Sequence, residues 1–343
     1  MSNRKCSIAV LGGGSFGTAI ANIAAEYGSC THLWMRSEEA VAEISATRVN
    51  KKYLPDLTLN EKLIPTTDLQ LAIDGAELIF FAIPSKSFRS VVKNAAPLIR
   101  PRQKVISTTK GIEPETLNLM SDIFKKELPD CPFGVMGGPN LAKEIARNEL
   151  TATVIASDDP HLKQLVQETL GSKYFRVYAS DDVCGVELGG TLKNIYAIMA
   201  GIIAAKKLGE NTVALLLTRS LAEMGRFAQS QGANPMTFLG LSGVGDLIAT
   251  CNSPLSRNYR VGYAFGVGKS LEQAVNDLGE VAEGINTLVQ VKRFADENDI
   301  YMPLVQGLYK IIYEGFSLSK IIDQLMSGEQ NTDVEFTLPK NEA

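Results

Sequence analysis

Residues 7–19 read SIAVLGGGSFGTA, an apolar run that passes through three glycines into a helical pattern. Gly12, Gly14 and Gly17 have the spacing GxGxxG. In that motif the first glycine permits a tight turn, the second lets the backbone approach a pyrophosphate, and the third lets the helix pack on the strand. A phosphate can then lie on the free N–H groups at the helix N-terminus. Because the motif follows the first predicted strand, it predicts a strand-turn-helix unit that binds a dinucleotide.

The first half of the chain alternates short apolar runs with helical patterns. The predicted strands are Ser7–Leu11, Thr31–Met35, Glu77–Ile83, Lys104–Thr108, Phe133–Met136 and Ala152–Ala156, and the helices between them include Phe16–Tyr27 and Glu115–Lys126. The strands are apolar nearly throughout, as expected when both faces of a parallel sheet are covered. This alternation predicts an α/β fold whose N-terminal part is a doubly wound parallel sheet of the Rossmann type.

After Tyr178 the pattern becomes helical, beginning with polar N-cap candidates at 180–182. The clearest helices are Val186–Ala205, Thr212–Gln231, Leu271–Leu278 and Asn286–Glu297. A chain of 343 residues is also longer than one hydrophobic core usually supports. We therefore predict a dinucleotide-binding domain over residues 1–180 and an all-helical domain over residues 181–343. The polar tail from about residue 328 is expected to be frayed.

Composition limits the classes of protein that this chain can be. Its 38 acidic and 34 basic residues give a net charge of −4, which argues against binding of nucleic acid or anionic membranes. The five cysteines are scattered without a CxxC pair, which favours a reducing compartment and predicts no metal site. Glycines 12–14 interrupt the only early apolar stretch, so no signal peptide is expected. The later stretch Ile195–Ala205 is about half the length of a membrane span, so we expect a cytoplasmic protein without membrane insertion.

An arginine follows the second predicted strand, where the choice between NAD and NADP is usually decided. An NAD-specific domain tends to carry an acidic residue there, which binds the ribose 2′-hydroxyl. Arg36 holds that place in this chain, and the first carboxylate after it is Glu38. A guanidinium can pair with the 2′-phosphate of NADP, which a carboxylate would repel. NADP is therefore favoured without excluding NAD, and an ordinary exposed arginine is the alternative interpretation.

A lysine inside an apolar helix is the candidate for acid–base chemistry. The chain has only two histidines, both in its N-terminal half, so the base is sought elsewhere. Counted from Gly190, Lys193, Asn194 and Ala197 follow at three, four and seven residues and share one helix face. Burial would lower the pKa of Lys193 and suit it to act as a general base. The alternative is a lysine that extends its amine to solvent along an apolar surface.

Other segments place polar groups where ligands bind. Lys110 follows a predicted strand at the carboxyl edge of the sheet, and the glycines of the loop 137–140 allow close approach of a ligand. Ser256 is a good N-cap, and a helix that begins there would direct its N–H groups and Arg257 at a phosphate. A capped helix with an exposed arginine is the simpler alternative.

Six motifs together resemble those of the bacterial NAD(P)-dependent glycerol-3-phosphate dehydrogenases. They are GGGSFGTA at 12–19, TTKG at 108–111, GGPNLAKE at 137–144, GVELGGTLKN at 185–194, SGVGDLIATC at 242–251 and SRN at 256–258. They follow the order of that family across both predicted domains, so the set is more specific than any single motif. The resemblance implies a Rossmann domain followed by an all-helical domain of the kind shared with 6-phosphogluconate dehydrogenase.

The resemblance also implies roles for individual residues, with Lys193 as the proton acceptor for the substrate hydroxyl. The positions that would contact the substrate are Lys110, Gly138, Asn140, Lys193, Asp246, Ser256, Arg257 and Asn258. Those that would contact the cofactor are Gly12, Gly14, Ser15, Phe16, Gly17, Arg36, Lys110, Ala142, Arg257, Val281 and Glu283. Asn140 departs from the family, which commonly has a small hydroxyl residue there. Gly13, often alanine in the family, is expected to tolerate a side chain.

The implied activity is the reversible conversion of dihydroxyacetone phosphate and sn-glycerol 3-phosphate with NADPH or NADH. Reduction is the expected direction, and phospholipid synthesis is the implied use of the product. Another NADP-dependent hydroxy-acid dehydrogenase on the same two-domain plan is an open alternative, in which Arg257 would hold a carboxylate. A non-catalytic NADP sensor is disfavoured, because it has no need for Lys193 beside Asn194. A homodimer stays open, since no pattern decides the oligomeric state.

Overall fold

The computed structural model of the chain describes residues 7–26, 30–278 and 282–327. Within them the strands are β1 (Ile8–Leu11), β2 (Thr31–Trp34), β3 (Val49–Asn50), β4 (Leu54–Thr58), β5 (Leu63–Thr66), β6 (Leu78–Phe81), β7 (Lys104–Ser107), β8 (Phe133–Gly137), β9 (Thr151–Ala156) and β10 (Phe175–Ser180). The helices are α1 (Ser15–Glu26), α2 (Glu38–Thr47), α3 (Leu69–Ile73), α4 (Ser85–Ala95), α5 (Met120–Glu127), α6 (Ala142–Ala146), α7 (Pro160–Leu170), α8 (Val183–Ala205), α9 (Glu210–Ser230), α10 (Asp246–Cys251), α11 (Arg257–Gly266), α12 (Leu271–Leu278), α13 (Glu283–Glu297), α14 (Pro303–Tyr313) and α15 (Leu318–Met326).

An eight-stranded sheet lies at the centre of the N-terminal half, in the order β10-β9-β8-β7-β6-β1-β2-β5. The strands from β8 to β5 are parallel, as the sequence predicts. The last two strands run the other way, because β9 is antiparallel to β8 and β10 is parallel to β9. The strand order reverses between β1 and β6, and a ligand crevice is expected at the carboxyl ends of strands that flank such a reversal. The glycine loop, residues 12–17, lies there.

Helices cover both faces of the sheet, which confirms the doubly wound arrangement. One face packs against Ile20 of α1 and Leu162 of α7, and the opposite face packs against Phe88 of α4 and Phe124 of α5. Strands β1, β6 and β7 are buried at every position. Burial on both faces is the reason that these strands are continuous apolar runs in the sequence.

Some elements differ from the sequence-based predictions. Strands β3, β4, β5 and β10 are not among the predicted ones. Pro55 in β4 and Pro65 in β5 remove backbone donors, and proline is typical of edge strands. β10 alternates buried and exposed residues over most of its length at the other edge of the sheet, so it lacks a continuous apolar run. The helix predicted over Glu115–Lys126 begins only at Met120, because Glu115 has a left-handed φ of 65° and the backbone of Leu119 is extended.

In the described residues, every regular element after β10 is helical, as predicted. Helices α8 and α11 touch at the backbone, since a Cβ atom at Gly262 would lie 1.9 Å from the carbonyl oxygen of Ile198. The predicted boundary near residue 180 falls between β10 and α8, and we keep this division into two domains as a proposal. The tail from residue 328 onward, predicted to be frayed, lies outside the described residues.

Helix α8 is longer than the apolar stretch Ile195–Ala205 that the sequence singles out. Its 23 residues are long and apolar enough to cross a membrane, but 89% of the most apolar window is buried inside the molecule. The helix extends over Glu187 and Lys193, which neighbouring segments bury. The length argument against a membrane span is therefore wrong for this helix, whereas its burial is typical of a core helix.

The loop between β7 and α5 joins the sheet to the helical half. Ile112 and Leu119 of this loop are buried in the same apolar cluster as residues of α8. Glu187 of α8 accepts a hydrogen bond from the N–H group of Met120 at 2.7 Å, at the start of α5. These contacts fix α8, which carries Lys193, relative to the carboxyl edge of the sheet.

Candidate active site

The glycine loop has the close backbone contacts that its sequence predicts. Gly12 has a φ of +122°, and a Cβ atom there would lie 2.3 Å from the carbonyl oxygen of Ala82. A Cβ atom at Gly17 would lie 2.0 Å from the carbonyl oxygen of Gly12, because α1 packs directly on the turn. At Gly14 a Cβ atom would meet nothing within 4 Å. The glycine that faces open space is thus the one that the motif assigns to the pyrophosphate, so the loop fits a dinucleotide.

Two side chains that no motif indicates pack against the glycine loop. Asn50 is 3% exposed, and its Nδ2 atom donates to the carbonyl oxygen of Gly13 at 3.0 Å and to Oγ1 of Thr18 at 2.9 Å. A Cβ atom at Gly13 would lie 2.0 Å from Cε of Met35. The expectation that Gly13 tolerates a side chain stays a prediction, because the atom in the way is the end of the flexible Met35 side chain, which can move.

Other residues that the resemblance assigns to the cofactor lie around this loop. Ser15 and Phe16 form the first turn of α1, and Ala142 begins α6 and packs on the same apolar cluster as Phe16. Arg36 is exposed directly after β2, at the carboxyl edge of the sheet. A guanidinium at that place can reach a ribose 2′ substituent. Val281, also assigned to the cofactor, lies outside the described residues.

Asp246 lies between two lysines at the centre of the candidate site. Its Oδ1 atom accepts a hydrogen bond from the amine of Lys193, and its Oδ2 atom accepts one from the amine of Lys110 at 2.8 Å. The hydroxyl of Thr250 accepts from the Lys193 amine at 2.6 Å and donates to Oδ1 at 3.3 Å. Lys193 is 5% exposed and Asp246 is 1% exposed. One carboxylate therefore orients both amines.

An irregular turn brings Asp246 to this position. Asp246 begins α10 directly after the π-helical turn Leu241–Gly245. A Cβ atom at Gly189 of α8 would lie 2.3 Å from the carbonyl oxygen of Ser242 in that turn. The turn thus packs on α8 four residues before Lys193, which is about one helical turn. Single π-turns are frequent at functional sites, and this one directs a carboxylate at a buried lysine.

Burial controls the protonation of Lys193. Loss of water around the amine lowers its pKa from 10.5 to about 7, while the negative charge of Asp246 opposes this change. The positive charge of Lys110 adds to the lowering. The alternative that Lys193 extends to solvent is wrong, because its amine is bonded to Asp246 and Thr250. A lysine with a pKa near neutrality can both donate and accept a proton.

Lys110 reaches the site across α8. Its amine donates to the carbonyl oxygen of Gly138 at 2.7 Å, in the loop after β8. Its side-chain carbons would lie 3.4 to 3.9 Å from a Cβ atom at Gly190. The helix face at Gly190, beside Lys193, is therefore partly covered by the Lys110 side chain.

Asn140 has one amide atom bonded and one without a partner. Its Nδ2 atom donates to Oγ1 of Thr153 at 2.9 Å. Its Oδ1 atom is buried and has no hydrogen-bond donor among the described residues. A buried oxygen without a donor carries a cost of about 1–3 kcal/mol, which a hydroxyl hydrogen of a bound molecule would relieve. Asn140 can thus supply an acceptor where the family commonly has a hydroxyl.

The start of α11 places an arginine beside a helix N-terminus. Ser256 accepts a hydrogen bond from the N–H group of Tyr259 at 3.3 Å, so it is the N-cap that the sequence predicts. Arg257 is the first residue of the helix and is exposed. Its positive charge acts on the carboxyl group of Glu283 in α13. A helix N-terminus beside a guanidinium is suited to hold a phosphate.

The amide of Asn258 is occupied largely by other protein groups. Its Nδ2 atom donates to Oδ1 of Asn194 at 2.9 Å, and its Oδ1 atom accepts from the N–H group of Gly284 at 3.0 Å. Asn194 donates in turn to the carbonyl oxygen of Lys110 at 3.0 Å. Since an amide has two N–H hydrogens, the predicted contact of Asn258 with a substrate depends on its second one. These bonds join the Lys110 loop to α8, α11 and α13.

Two family models match consecutive parts of the chain. The model of the NAD-dependent glycerol-3-phosphate dehydrogenase N-terminus matches residues 7–163, and the model of its C-terminus matches residues 182–323. A protein of Acinetobacter baumannii (strain SDF), named glycerol-3-phosphate dehydrogenase (NAD(P)+), is 57% identical over 98% of this chain and 94% of its own length. The chain belongs to this family. A relative of the same name from Pseudomonas entomophila is 54% identical over 96% of both chains.

Solved structures agree with this membership in the glycerol-3-phosphate dehydrogenase family. A glycerol-3-phosphate dehydrogenase from Coxiella burnetii has a TM-score of 0.90 and 37% identity, covering 94% of this chain and 99% of its own. A ketopantoate reductase from Ralstonia eutropha has a TM-score of 0.57 and 16% identity, covering 93% of this chain and 99% of its own. At that identity the second likeness shows only a shared fold.

Apart from Asn140, which bonds Thr153, the residues predicted for the family's substrate site fall into two connected groups. Lys110, Gly138, Lys193 and Asp246 are linked by hydrogen bonds, and Ser256, Arg257 and Asn258 lie at the start of α11. Thr250 lies in the motif at 242–251 but is not among the predicted site residues, although its position four residues after Asp246 on one helix is a usable signal. Ser85, which bonds Glu283, is also missed, because nothing in its own segment distinguishes it.

Proposed function

We propose that the chain catalyses the reversible reduction of dihydroxyacetone phosphate to sn-glycerol 3-phosphate with a nicotinamide dinucleotide. The observation that carries this proposal is the buried cluster of Lys193, Asp246 and Lys110 close to the N-terminus of α11. The cluster offers a proton donor with a pKa near neutrality, and the helix start offers a phosphate site. The hydrogen bond between Asn194 and Asn258 holds the two together. Relatives at 54–57% identity are named for this activity.

Lys193 is the proposed proton carrier. In reduction, a hydride forms the new C–H bond at the carbonyl carbon, and the carbonyl electron pair moves to the oxygen. That oxygen takes a proton from the Lys193 ammonium group, and in oxidation the neutral amine takes it back. Asp246 and Thr250 hold the amine in place through its other hydrogens. When bound, the cofactor supplies or receives the hydride.

The other site residues are assigned by position. Lys110 belongs to the lysine cluster, Gly138 and Asn140 border it, and all three are proposed to hold the substrate hydroxyl groups. Ser256, Arg257 and Asn258 are proposed to hold the substrate phosphate. Cofactor contacts are proposed for the glycine loop with Ser15 and Phe16, and for Arg36, Lys110, Ala142, Arg257, Val281 and Glu283. Arg36 is the reason to favour NADP over NAD.

The test is oxidation of NADPH by the purified protein in the presence of dihydroxyacetone phosphate, compared with a panel of 2-keto acids. We expect turnover of the phosphate ester and at most slow turnover of the keto acids. Turnover of a keto acid instead would favour a hydroxy-acid dehydrogenase, in which Arg257 holds a carboxylate. Tight NADPH binding without turnover of any ketone would favour a cofactor sensor.

A second arm of the test concerns the phosphate. Arg257→Ala removes a charge-assisted contact that is present in both ground and transition states, so KM for dihydroxyacetone phosphate should rise more than kcat falls. Unphosphorylated dihydroxyacetone is the control, because it has no phosphate to lose and its slow turnover should scarcely change. If kcat/KM falls equally for the phosphorylated and the unphosphorylated ketone, Arg257 does not bind the substrate phosphate specifically.

The cellular setting belongs to the same proposal. A negatively charged chain with scattered cysteines fits the cytoplasm, and sn-glycerol 3-phosphate made there would serve phospholipid synthesis. We also propose that the chain does not insert into membranes, because α8 is buried in its own fold. Whether it acts as a homodimer can be measured by light scattering of the purified protein.

A further inference from the structure

A direct contact between Ser85 and Glu283 connects the sheet to the helical half. Ser85 is the first residue of α4, just after β6, and Glu283 is the first residue of α13. The backbone N–H group of Ser85 donates to Oε1 of Glu283 at 2.9 Å. The hydroxyl of Ser85 donates to Oε2 at 2.5 Å. Because each carboxylate oxygen has its own donor, both the position and the rotation of this carboxylate are fixed.

The Glu283 carboxylate lies where the cofactor and substrate sites meet. A Cβ atom at Gly111 would lie 2.8 Å from Oε2 of Glu283, so the carboxylate is against the backbone beside Lys110. On its other side, the N–H group of Gly284 donates to Asn258. The carboxyl ends of β6 and β7, which carry Ser85 and the Lys110 segment, flank the crevice in which a dinucleotide is expected.

The pKa of the Glu283 carboxyl group depends in part on Ser85. Burial raises the pKa of Glu283, while the two hydrogen bonds from Ser85 and the charge of Arg257 on α11 lower it. Ser85 is itself 2% exposed, so water does not easily replace its hydroxyl. Loss of that hydroxyl would therefore leave a partly buried carboxylate with one donor fewer, and its protonated form would be favoured.

We propose that Ser85 is a positioning residue that holds the Glu283 carboxylate across the crevice and thereby sets the affinity for the nicotinamide dinucleotide. The inference rests on the proposed function in two respects, the identity of the cofactor and the proposed contact of Glu283 with it. Ser85 acts through Glu283 and is not proposed to touch the reacting atoms.

The test compares Ser85→Ala with Ser90→Ala by titration calorimetry with NADP+ over a range of pH. Ser90 is the matched control, because it lies on the same helix, is exposed, and its hydroxyl donates to the carbonyl oxygen of Ser87 and to no other group in the described part of the chain. We expect Ser85→Ala to raise Kd for NADP+ by about tenfold, since Glu283 then keeps only one of its two donors and is no longer held in one orientation toward the cofactor, and Ser90→Ala to leave it unchanged. The fall in affinity toward acid pH should also begin at a higher pH in Ser85→Ala.

Glu283→Gln gives a second, independent measurement. This variant keeps the shape of the side chain but cannot titrate, so its affinity for NADP+ should be low at every pH. Its acid limb should shrink to the part that comes from the 2′-phosphate of NADP+, whose pKa is about 6. The same Kd and the same acid limb in Ser85→Ala and Ser90→Ala would overturn the proposal, as would an unchanged acid limb in Glu283→Gln. None of these measurements uses dihydroxyacetone phosphate, so a failure of the proposed reaction would be seen separately, as absent turnover in the unmodified protein.

Discussion

The glycine loop and the lysine cluster differ in what suits each of them to its proposed ligand. The loop is one continuous segment, and its fit to a ligand depends on the lack of side chains. Gly12 and Gly17 lie against backbone atoms, and Gly14 faces open space. The cluster joins residues of three distant segments, and its chemistry depends on charged groups that are shielded from water. The carboxylate of Asp246 accepts hydrogen bonds from both Lys110 and Lys193. A change in the loop should therefore alter cofactor affinity, whereas a change in the cluster should alter the chemical step.

The largest expected effect comes from removing the lysine amine. Lys193→Ala should lower kcat for dihydroxyacetone phosphate by about 10²–10⁴-fold, because a positioned acid–base group is lost. Binding of NADPH should stay close to normal, since the glycine loop is in the other half of the molecule. Steady-state kinetics and a separate NADPH titration measure the two effects. Turnover like that of the unmodified protein, in a folded variant, would exclude Lys193 as the proton carrier.

The pH dependence should differ between the two directions of the reaction. Burial lowers the pKa of Lys193 to about 7. Reduction needs the ammonium form, so its rate should fall about tenfold per pH unit above that value, whereas oxidation needs the amine and should fall below it. Rate profiles in both directions, with saturating cofactor, measure this.

A variant of the carboxylate sharpens the pH test. Asp246→Asn removes the negative charge that raises the pKa of Lys193, so the alkaline limb of the reduction should move to lower pH. Profiles with the same limb in both directions would show that Lys193 does not carry the proton.

Two alanines in the glycine loop separate folding from binding. Gly12→Ala places a Cβ atom 2.3 Å from a carbonyl oxygen at a φ of +122°, so the free energy of unfolding should fall by at least about 1–3 kcal/mol. Gly14→Ala meets no protein atom, so unfolding should be unchanged while Kd for NADPH rises about tenfold. Chemical denaturation and NADPH titration of both variants measure the difference. If Gly14→Ala binds NADPH normally, the pyrophosphate does not approach that glycine.

The difference between the two regions also explains what the sequence could predict. The glycine loop is specified by spacing within six residues, and the parallel strands are specified by continuous burial, so both are predicted correctly. Edge strands such as β5 and β10 are missed, because their proline or alternating burial removes the apolar run. The choice between NADP and NAD is left to one exposed residue, Arg36.

The lysine cluster is predicted in its members but not in its contacts. The pattern places Lys193 on a helix, but it does not show that Asp246 bonds two amines or that Lys110 covers Gly190. The hydrogen bond from the Asn258 amide to Asn194 likewise forms because α8 and α11 pack closely. Such contacts depend on how distant segments approach in the fold, which no local spacing encodes.

The smallest expected effect is a change in cofactor preference, and it concerns the exposed side chain of Arg36 after β2. Arg36→Asp removes the partner for a 2′-phosphate and supplies an acceptor for a 2′-hydroxyl. The ratio of kcat/KM for NADPH to that for NADH should therefore fall by about tenfold, as expected for one charge-assisted contact.

The rate with NADH is the internal control for Arg36→Asp. Lys193 and its partners lie in the other half of the molecule, so kcat with saturating NADH should stay near the value of the unmodified protein. Stability should hardly change, because Arg36 is exposed. A parallel loss with both cofactors would mean that Arg36 supports the loop generally. An unchanged ratio would mean that it does not contact the 2′ position, and then the exposed end of β2 would not distinguish NADP from NAD.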